Sequence, residues 1–206
     1  MRRRLMMLKK SGGGLPEGYT AVNYLQSTGT QWIEMGVAPN QNTKVVLKIK
    51  INEFTDKGAS LIGSRTNGNS NDQFITYLDG YHGTKFLFRM DGQPQSISWT
   101  GLTTNKIYTV TLSGTEMKAE LEDGTAVFSK TFSVSDFTST VTMALFKSKP
   151  FDNGFLGRIY SCKHYNGDKL IQDFVPCLDA NGVPCMFDFV SRNSFYNAGT
   201  GSFTWG

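Results

Sequence analysis

The chain has 206 residues, with 22 glycines against six prolines and with 15 Phe, 8 Tyr and 3 Trp. That length can hold one large all-β domain with its own core, and no apolar run is long enough to span a bilayer. The formal charge of +4 is unevenly spread. Residues 1–14 carry Arg2, Arg3, Arg4, Lys9 and Lys10 and no acid, leaving 16 bases against 17 acids in the remainder. The body is therefore near neutral, and neither a polyanion-binding groove nor specific nucleic-acid binding is indicated.

The N-terminal stretch resembles a charged signal n-region, but its apolar run, Leu5-Met6-Met7-Leu8, is too short for an h-region. A protein made in the cytoplasm without a signal peptide is expected. Ser11-Gly12-Gly13-Gly14 reads as a flexible joint, dividing a basic tail, 1–14, from a body, 15–206. Three readings of the tail stay open: a disordered segment, an anchor that orders on a partner protein, or a weak, salt-sensitive patch for nucleic acid or a membrane surface. In the anchor reading Arg2, Arg3, Arg4, Leu5, Leu8, Lys9 and Lys10 do the docking.

After a turn at Leu15–Tyr19, short strand-like pieces lead to the clearest strand, 43–54. There Val45, Leu47, Ile49 and Ile51 alternate with Lys44, Val46, Lys48 and Lys50, one face for the core and one for water. A polar loop follows at 64–72. Strands then arrive at even intervals: 73–78 before Asp79-Gly80, 85–90 before Asp91-Gly92, 106–112 before Ser113-Gly114, and 116–122 before Asp123-Gly124. Segments 125–132 and 141–146 continue the series, and 134–138 reads as a brief helical turn. This rhythm is that of an antiparallel two-sheet sandwich or jelly roll.

The most strongly patterned segment is Gly154–Phe174. Leu156, Arg158, Tyr160, Cys162 and His164 alternate with Phe155, Gly157, Ile159, Ser161 and Lys163, and Asn166-Gly167 supplies the positive-φ pair of a two-residue hairpin. Short strands are expected near 186–190, 194–196 and 202–205, the last tied into the sheet close to the first. Of the three cysteines, Cys162, Cys177 and Cys185, buried thiols are the default; a Cys177–Cys185 bridge across LDANGVP is the alternative. The cysteine and histidine spacings do not suit zinc.

The opening LPEGYTAVNYLQSTGTQWIEMGVAPN and the closing GRIYSCKHYNGDKLIQDFVPC and CMFDFVSRNSFYNAGTGSFTWG resemble modules found in phage and prophage proteins of gut bacteria. Those modules are similar to the concanavalin A-like, laminin-G-like lectin and glucanase fold. The resemblance implies an all-β jelly-roll sandwich behind a basic tail. It also implies a non-enzymatic virion protein (capsid decoration, head fibre or tail-associated), with the tail docked on other virion proteins and the body exposed to host-surface glycans. The alternatives are a carbohydrate-binding module of a gut bacterium and a glycoside hydrolase. Decoration and fibre proteins are often dimers or trimers, so a homo-oligomer stays open, although no heptad repeat is present.

The residues support little catalysis. Glycoside hydrolysis needs two facing carboxylates. Glu116, Glu120 and Glu122 share a face, but one that alternates with buried Met117, Ala119 and Leu121, and AELEDG lacks the E-x-D-x-x-E pattern of glucanases of this fold. A Cys162–His164 nucleophile pair is less economical than plain packing, and no nucleophile elbow or phosphate loop occurs. No catalytic residue, metal site or cofactor is expected. Calcium is the one ion that loop oxygens could hold, at Asn67, Asn69, Asn71 and Asp72 or at Asp152 and Asn153. For sugar binding the candidate edge gathers aromatics beside amide and carboxylate groups: Asn71, Asp72, Tyr77, Asp79, Tyr81, His82 and Trp99. The competing reading makes Tyr77 and Trp99 core aromatics.

Overall fold

The computed structural model describes residues 14–56, 58–65, 73–80, 85–91, 97–149 and 153–206. Eighteen strands and no helix occur among them. The first nine are β1 (Thr20–Ala21), β2 (Leu25–Thr28), β3 (Ile33–Glu34), β4 (Thr43–Ile51), β5 (Ile62–Ser64), β6 (Phe74–Asp79), β7 (Lys85–Met90), β8 (Ile97–Trp99) and β9 (Ile107–Ser113). Then come β10 (Glu116–Leu121), β11 (Ala126–Thr131), β12 (Ala144–Leu145), β13 (Lys147–Lys149), β14 (Leu156–Asn166), β15 (Lys169–Leu178), β16 (Pro184–Asp188), β17 (Ser194–Tyr196) and β18 (Thr204–Trp205).

They form two sheets of a jelly-roll sandwich. The larger runs β11-β10-β9-β4-β14-β15-β16-β17, with β1 on β15, β2 on β14 and β18 on β2. The smaller runs β3-β12-β5-β6-β7-β8, with β13 added to β5 in parallel. The alternation of β4 decides its orientation: Val45, Leu47, Ile49 and Ile51 are buried, while Lys44, Val46, Lys48 and Lys50 line the outer face. From the facing sheet Phe74, Phe86 and Phe88 fill the gap. Full burial of each such side chain contributes about 1.5–3 kcal/mol. The closing strand pairs with β2 through Thr204↔Gln26 and Trp205↔Leu25, as its strand-like sequence indicates.

The central hairpin departs from simple alternation. β14 pairs with β4 along its length, but the register shifts between Ile159 and Ser161. This bulge at Tyr160 breaks the period of two. Gly157 and Ile159 are buried before it, Cys162 and His164 after it. Arg158 and Tyr160 therefore do not share a face with Cys162 and His164, as unbroken alternation had them. The turn is also displaced by one residue. Asn166 pairs with Lys169, which leaves Gly167 and Asp168 in the loop, with Gly167 at φ 60°. Glycine at the first loop position is the type II′ pattern, and the shift between His164 and Tyr165 absorbs the extra residue.

Two further expectations change. Segment 134–138 is not a helical turn but an irregular stretch ending in a bridge, Asn40↔Thr138, with Phe137 buried. The strand expected over 141–146 shrinks to Ala144–Leu145, because Phe146 takes φ 68° and the chain turns back as β13. A non-glycine residue there is a genuine outlier. Phe146 is held in it by a buried ring against Phe203 (4.8 Å between centroids) and Phe155, whose N–H bonds the Phe146 carbonyl at 2.7 Å. The cysteines follow the default reading: Cys177 and Cys185 are opposite one another on β15 and β16 as buried free thiols, Sγ to Sγ 3.4 Å, and not as the alternative bridge.

One buried polar tie crosses between the sheets. His164 and Gln172 face the interior, and His164 Nδ1 lies 3.0 Å from Gln172 Oε1. Gln172 Nε2 donates to the Met35 carbonyl at 2.8 Å, just beyond β3. Because Oε1 can only accept, His164 carries its proton on Nδ1. Burial holds the imidazole pKa below its ordinary 6.5, with the Gln172 bond a smaller opposing effect. The unfolded chain thus takes up this proton first as pH falls, so stability is full above the unfolded value and declines below it, flattening once pH passes the folded value. His164→Gln should remove the part of the fall in melting temperature between about pH 7 and pH 5 that this titration causes. Melting curves of both proteins across that interval check it, and identical pH profiles would contradict it.

Candidate functional site

Of the candidate ligand edge, Trp99 takes the competing place, in the core. Its ring is 7 % exposed and wedged between the sheets, edge-on to Tyr108 at 5.2 Å and stacked on Phe128 at 6.0 Å. The inward register of β8, Trp99 opposite buried Phe86, puts it there. Tyr77 and Asp79 lie on the other, outward side of β6, half-buried. Asn71, Asp72, Tyr81 and His82 lie outside the described residues, as do the docking residues Arg2, Arg3, Arg4, Leu5, Leu8, Lys9 and Lys10. Of the calcium candidates Asn67, Asn69, Asn71, Asp72 and Asp152 lie outside them too, and the Asn153 carbonyl accepts the Ser60 N–H at 3.1 Å. Among the described residues no three His, Cys, Asp or Glu side chains converge.

The catalytic candidates have other partners. Glu120 pairs with Lys118 and Glu122 with Lys48, each at 2.7 Å on the sheet surface. Cys162 and His164 are both buried. Burial, aided by the Asp173 and Asp188 carboxylates, raises the Cys162 thiol far above the range where a nucleophilic thiolate forms.

What the fold does build is a cleft at the rim of the sandwich, beside Trp32. It encloses about 360 Å³ and is lined chiefly by Thr30, Gln31, Trp32, Lys147, Gly199 and Thr200. Two Thr/Gly turns make its walls. In the first, buried Gln31 is the staple: its Oε1 accepts from the Thr28 N–H at 2.8 Å and its Nε2 donates to Thr30 Oγ1 at 3.0 Å. The second turn, 197–201, is zipped alongside. Asn197 Oδ1 accepts from the N–H groups of Trp32 (3.1 Å) and Gly199 (2.9 Å), Ala198 N–H donates to the Trp32 carbonyl at 2.8 Å, and Thr30 Oγ1 donates to the Thr200 carbonyl at 3.1 Å. Gly199 is required by close approach, since a Cβ there would strike the Thr30 carbonyl and the Trp32 ring.

The third wall comes from the reversal at Phe146, which sends β13 back with Lys147 and Lys149 on one face. Their ammonium groups stand 5.3 and 5.6 Å from the centre of the Trp32 ring, cation–π distances. Lys149 is further fixed by Glu34 and by Thr142 Oγ1 at 3.0 Å. Burial pushes the Glu34 carboxyl up, but hydrogen bonds from Lys149, Thr142 and the Gly36 N–H outweigh it, and the net pKa lies below the ordinary value. A second groove, about 270 Å³, adjoins across a ridge where Gly154 N–H bonds the Gly29 carbonyl at 3.1 Å; Thr55, Asn153 and Leu156 line it.

The site thus offers a half-buried indole, two cations, hydroxyls and backbone amides, with no carboxylate lining either groove. Sequence reading missed Trp32, Lys147, Lys149, Thr30 and Thr200. The available signals were the paired Thr/Gly turns, Thr28-Gly29-Thr30 and Gly199-Thr200-Gly201, and Lys-Ser-Lys after a core run.

No protein-family model matches the chain, and no curated protein sequence does either. Solved structures do. A candidate carbohydrate-binding protein from Bacteroides ovatus ATCC 8483 superposes with a TM-score of 0.60 at 14 % identity, covering 91 % of this chain and 60 % of its own. A heptameric SAP-like pentraxin from Limulus polyphemus gives 0.44 at 11 % identity (74 % and 76 % covered), and the carbohydrate-binding module CBM66 from Bacillus subtilis 0.34 at 16 % (72 % and 92 %). The chain spans about three-fifths of the Bacteroides protein, and at this identity the likeness is one of fold: an antiparallel jelly-roll sandwich.

Proposed function

We propose that this domain is a non-catalytic glycan-binding module whose ligand seats in the Trp32 cleft. The observation that carries the reading is the half-buried Trp32 ring facing a cleft with the Lys147 ammonium and the Thr30 and Thr200 turns. An indole offers a flat apolar face to a sugar ring, and hydroxyl, amide and ammonium donors around it meet the sugar's hydroxyls. The fold shared with the Bacteroides protein, which is itself a candidate for carbohydrate binding, supports the same reading. Isothermal titration of glycans selected on an array tests it. Trp32→Ala should weaken binding roughly tenfold or more, in line with losing about 1.5–3 kcal/mol of aromatic contact, with the far-ultraviolet spectrum unchanged. Undiminished affinity in Trp32→Ala would remove the cleft from consideration.

The ion pair behind the cleft adds a pH signature. Glu34 has a lowered folded pKa, so its contribution is present above the unfolded value and lost as pH falls through the folded one. Above pH 4.5, the ordinary Glu34 value, Lys149 stays tethered beside Trp32. Glycan affinity should therefore fall with protonation of Glu34 only below that point, and Glu34→Gln should show the weakened, acid-type affinity already at neutral pH. Titrations of the two proteins at neutral and acid pH make the comparison, and a variant indistinguishable from the parent at neutral pH would count against it.

Attachment of this body to a phage particle is the finer form of the reading. It is supported by the resemblance of the terminal motifs and by the basic composition of residues 1–14. The protein is then expected among the components of purified particles from the host that carries the gene, and its absence by mass spectrometry would end the virion reading while leaving glycan binding intact.

A further inference from the structure

We propose that the outward face of the larger sheet is a second binding surface, for an anionic polysaccharide. The near-neutral net charge of the body conceals a local excess of cations there. On β4 the outward positions are Lys44, Val46, Lys48 and Lys50, and β14 adds Arg158 and Tyr160 beside them. The register aligns these into rows across the strands. One row reads Ile107, Lys50, Arg158, Gln26 and the next Thr109, Lys48, Ser161.

Lys50 stands directly opposite Arg158. Like charges in that position destabilise a sheet, and among the described residues neither has a carboxylate partner. Arg158 is instead oriented by neutral groups. Its guanidinium lies 4.2 Å from the centre of the Tyr24 ring and its Nε donates to Gln26 Oε1 at 2.8 Å. Tyr24 meets Tyr160 edge-on at 5.5 Å, and Lys48 and Lys44 lie over Tyr160 and Tyr165 at 5.8 and 5.7 Å. The result is a tyrosine platform with cations held over its rings and an unrelieved cationic pair at its centre.

The acids near this face are matched by other cations: Glu120, next to Thr109 in the row of Lys48, pairs with Lys118. Glu122 pairs with Lys48, Asp123 stands beside Lys106, and Asp173 is opposite Lys163 in the β14–β15 register. Lys44, Lys50 and Arg158 remain. A cleft of about 430 Å³ opens here, lined by Lys50, Lys106, Ile107 and Tyr160 and, on its far side, by Glu122 and Asp123. An anionic ligand laid over the Lys50–Arg158 pair would replace a repulsion by two charge-assisted hydrogen bonds.

The chemistry favours a polysaccharide bearing carboxylate or sulfate groups. Cations alternate here with the hydroxyl and amide groups of Thr109, Ser161 and Gln26, which suit sugar hydroxyls between charged residues. A polyphosphate would call for a denser cationic track on a body of positive net charge.

The test uses the full chain with polygalacturonate and heparin as probes, a neutral β-glucan and single-stranded DNA as comparisons, and binding measured at low and at raised salt. The parent should bind at least one of the two polyanions, more weakly as salt rises; whichever is retained identifies carboxylate or sulfate as the recognised group. Lys50→Gln with Arg158→Gln should weaken that binding roughly tenfold or more. Lys130→Gln with Lys169→Gln, which removes the same charge from exposed positions elsewhere, should change it less than about twofold. Lys50→Gln alone leaves the Tyr24 and Gln26 contacts of Arg158 in place, and should still cost about fivefold in a protein whose melting temperature is not lowered. Binding to neither polyanion, equal losses in the two double variants, or DNA bound as tightly as the polyanions would each overturn the proposal.

Discussion

The fold depends on how β14 is shared. One of its edges is taken throughout by β4, while the other is held first by β2, over Leu156–Ile159, and then by β15, over Cys162–Asn166. The handover falls at Tyr160, where the bulge lies. A strand that changes partners along one edge must twist at the junction, and an extra residue lets it do so without breaking the β4 ladder. Without that residue, one of the two halves would present its core side chains to solvent, since a slip of one residue inverts the faces. The bulge therefore keeps Ile159 and Cys162 in the same core and leaves Arg158 and Tyr160 on the outer surface.

The two sheets are joined by different means at different places. Trp99 wedges between them from the smaller sheet, with Tyr108 and Phe128 of the larger sheet on either side. The chain His164–Gln172–Met35 is a polar counterpart, running from imidazole through amide to backbone carbonyl. The Trp32 cleft lies where such contacts give way to loops. Its walls are backbone zipped to backbone through Gln31 and Asn197 rather than a free loop, so a ligand would meet a surface already shaped, with little ordering still to be done.

Period-two alternation and turn dipeptides made the sandwich legible before any coordinates. β4, β7 and β17 fall at or close to the boundaries read from sequence, because in each case the core pattern and the flanking turn agree. Reading failed where one residue breaks the period. Tyr160 and Ile171 are bulged and Phe146 reverses the chain, and none of these is a glycine that would mark the event. The Trp32 cleft was harder still. Its parts come from around residues 30, 147 and 199, and local pattern carries no information about which turns meet across a sandwich. Trp99 illustrates the converse: its place close to a turn suited either a ligand edge or the core, and only the strand register, which turns it inward, decides between them.

Phe146 shows how tolerance to change is distributed in such a molecule. Its backbone conformation favours glycine, and any other residue carries a cost of about 1–3 kcal/mol there. Its ring, packed on Phe155 and Phe203, supports a core contact whose loss costs about 3–5 kcal/mol on truncation. The substitution that relaxes the chain thus removes the packing, and the one that keeps an aromatic keeps the strain. No single replacement satisfies both demands, so sequence drift at this position is narrowly channelled. With it goes the placement of Lys147 and Lys149 beside Trp32, which links the evolvability of the cleft to a core residue outside its lining.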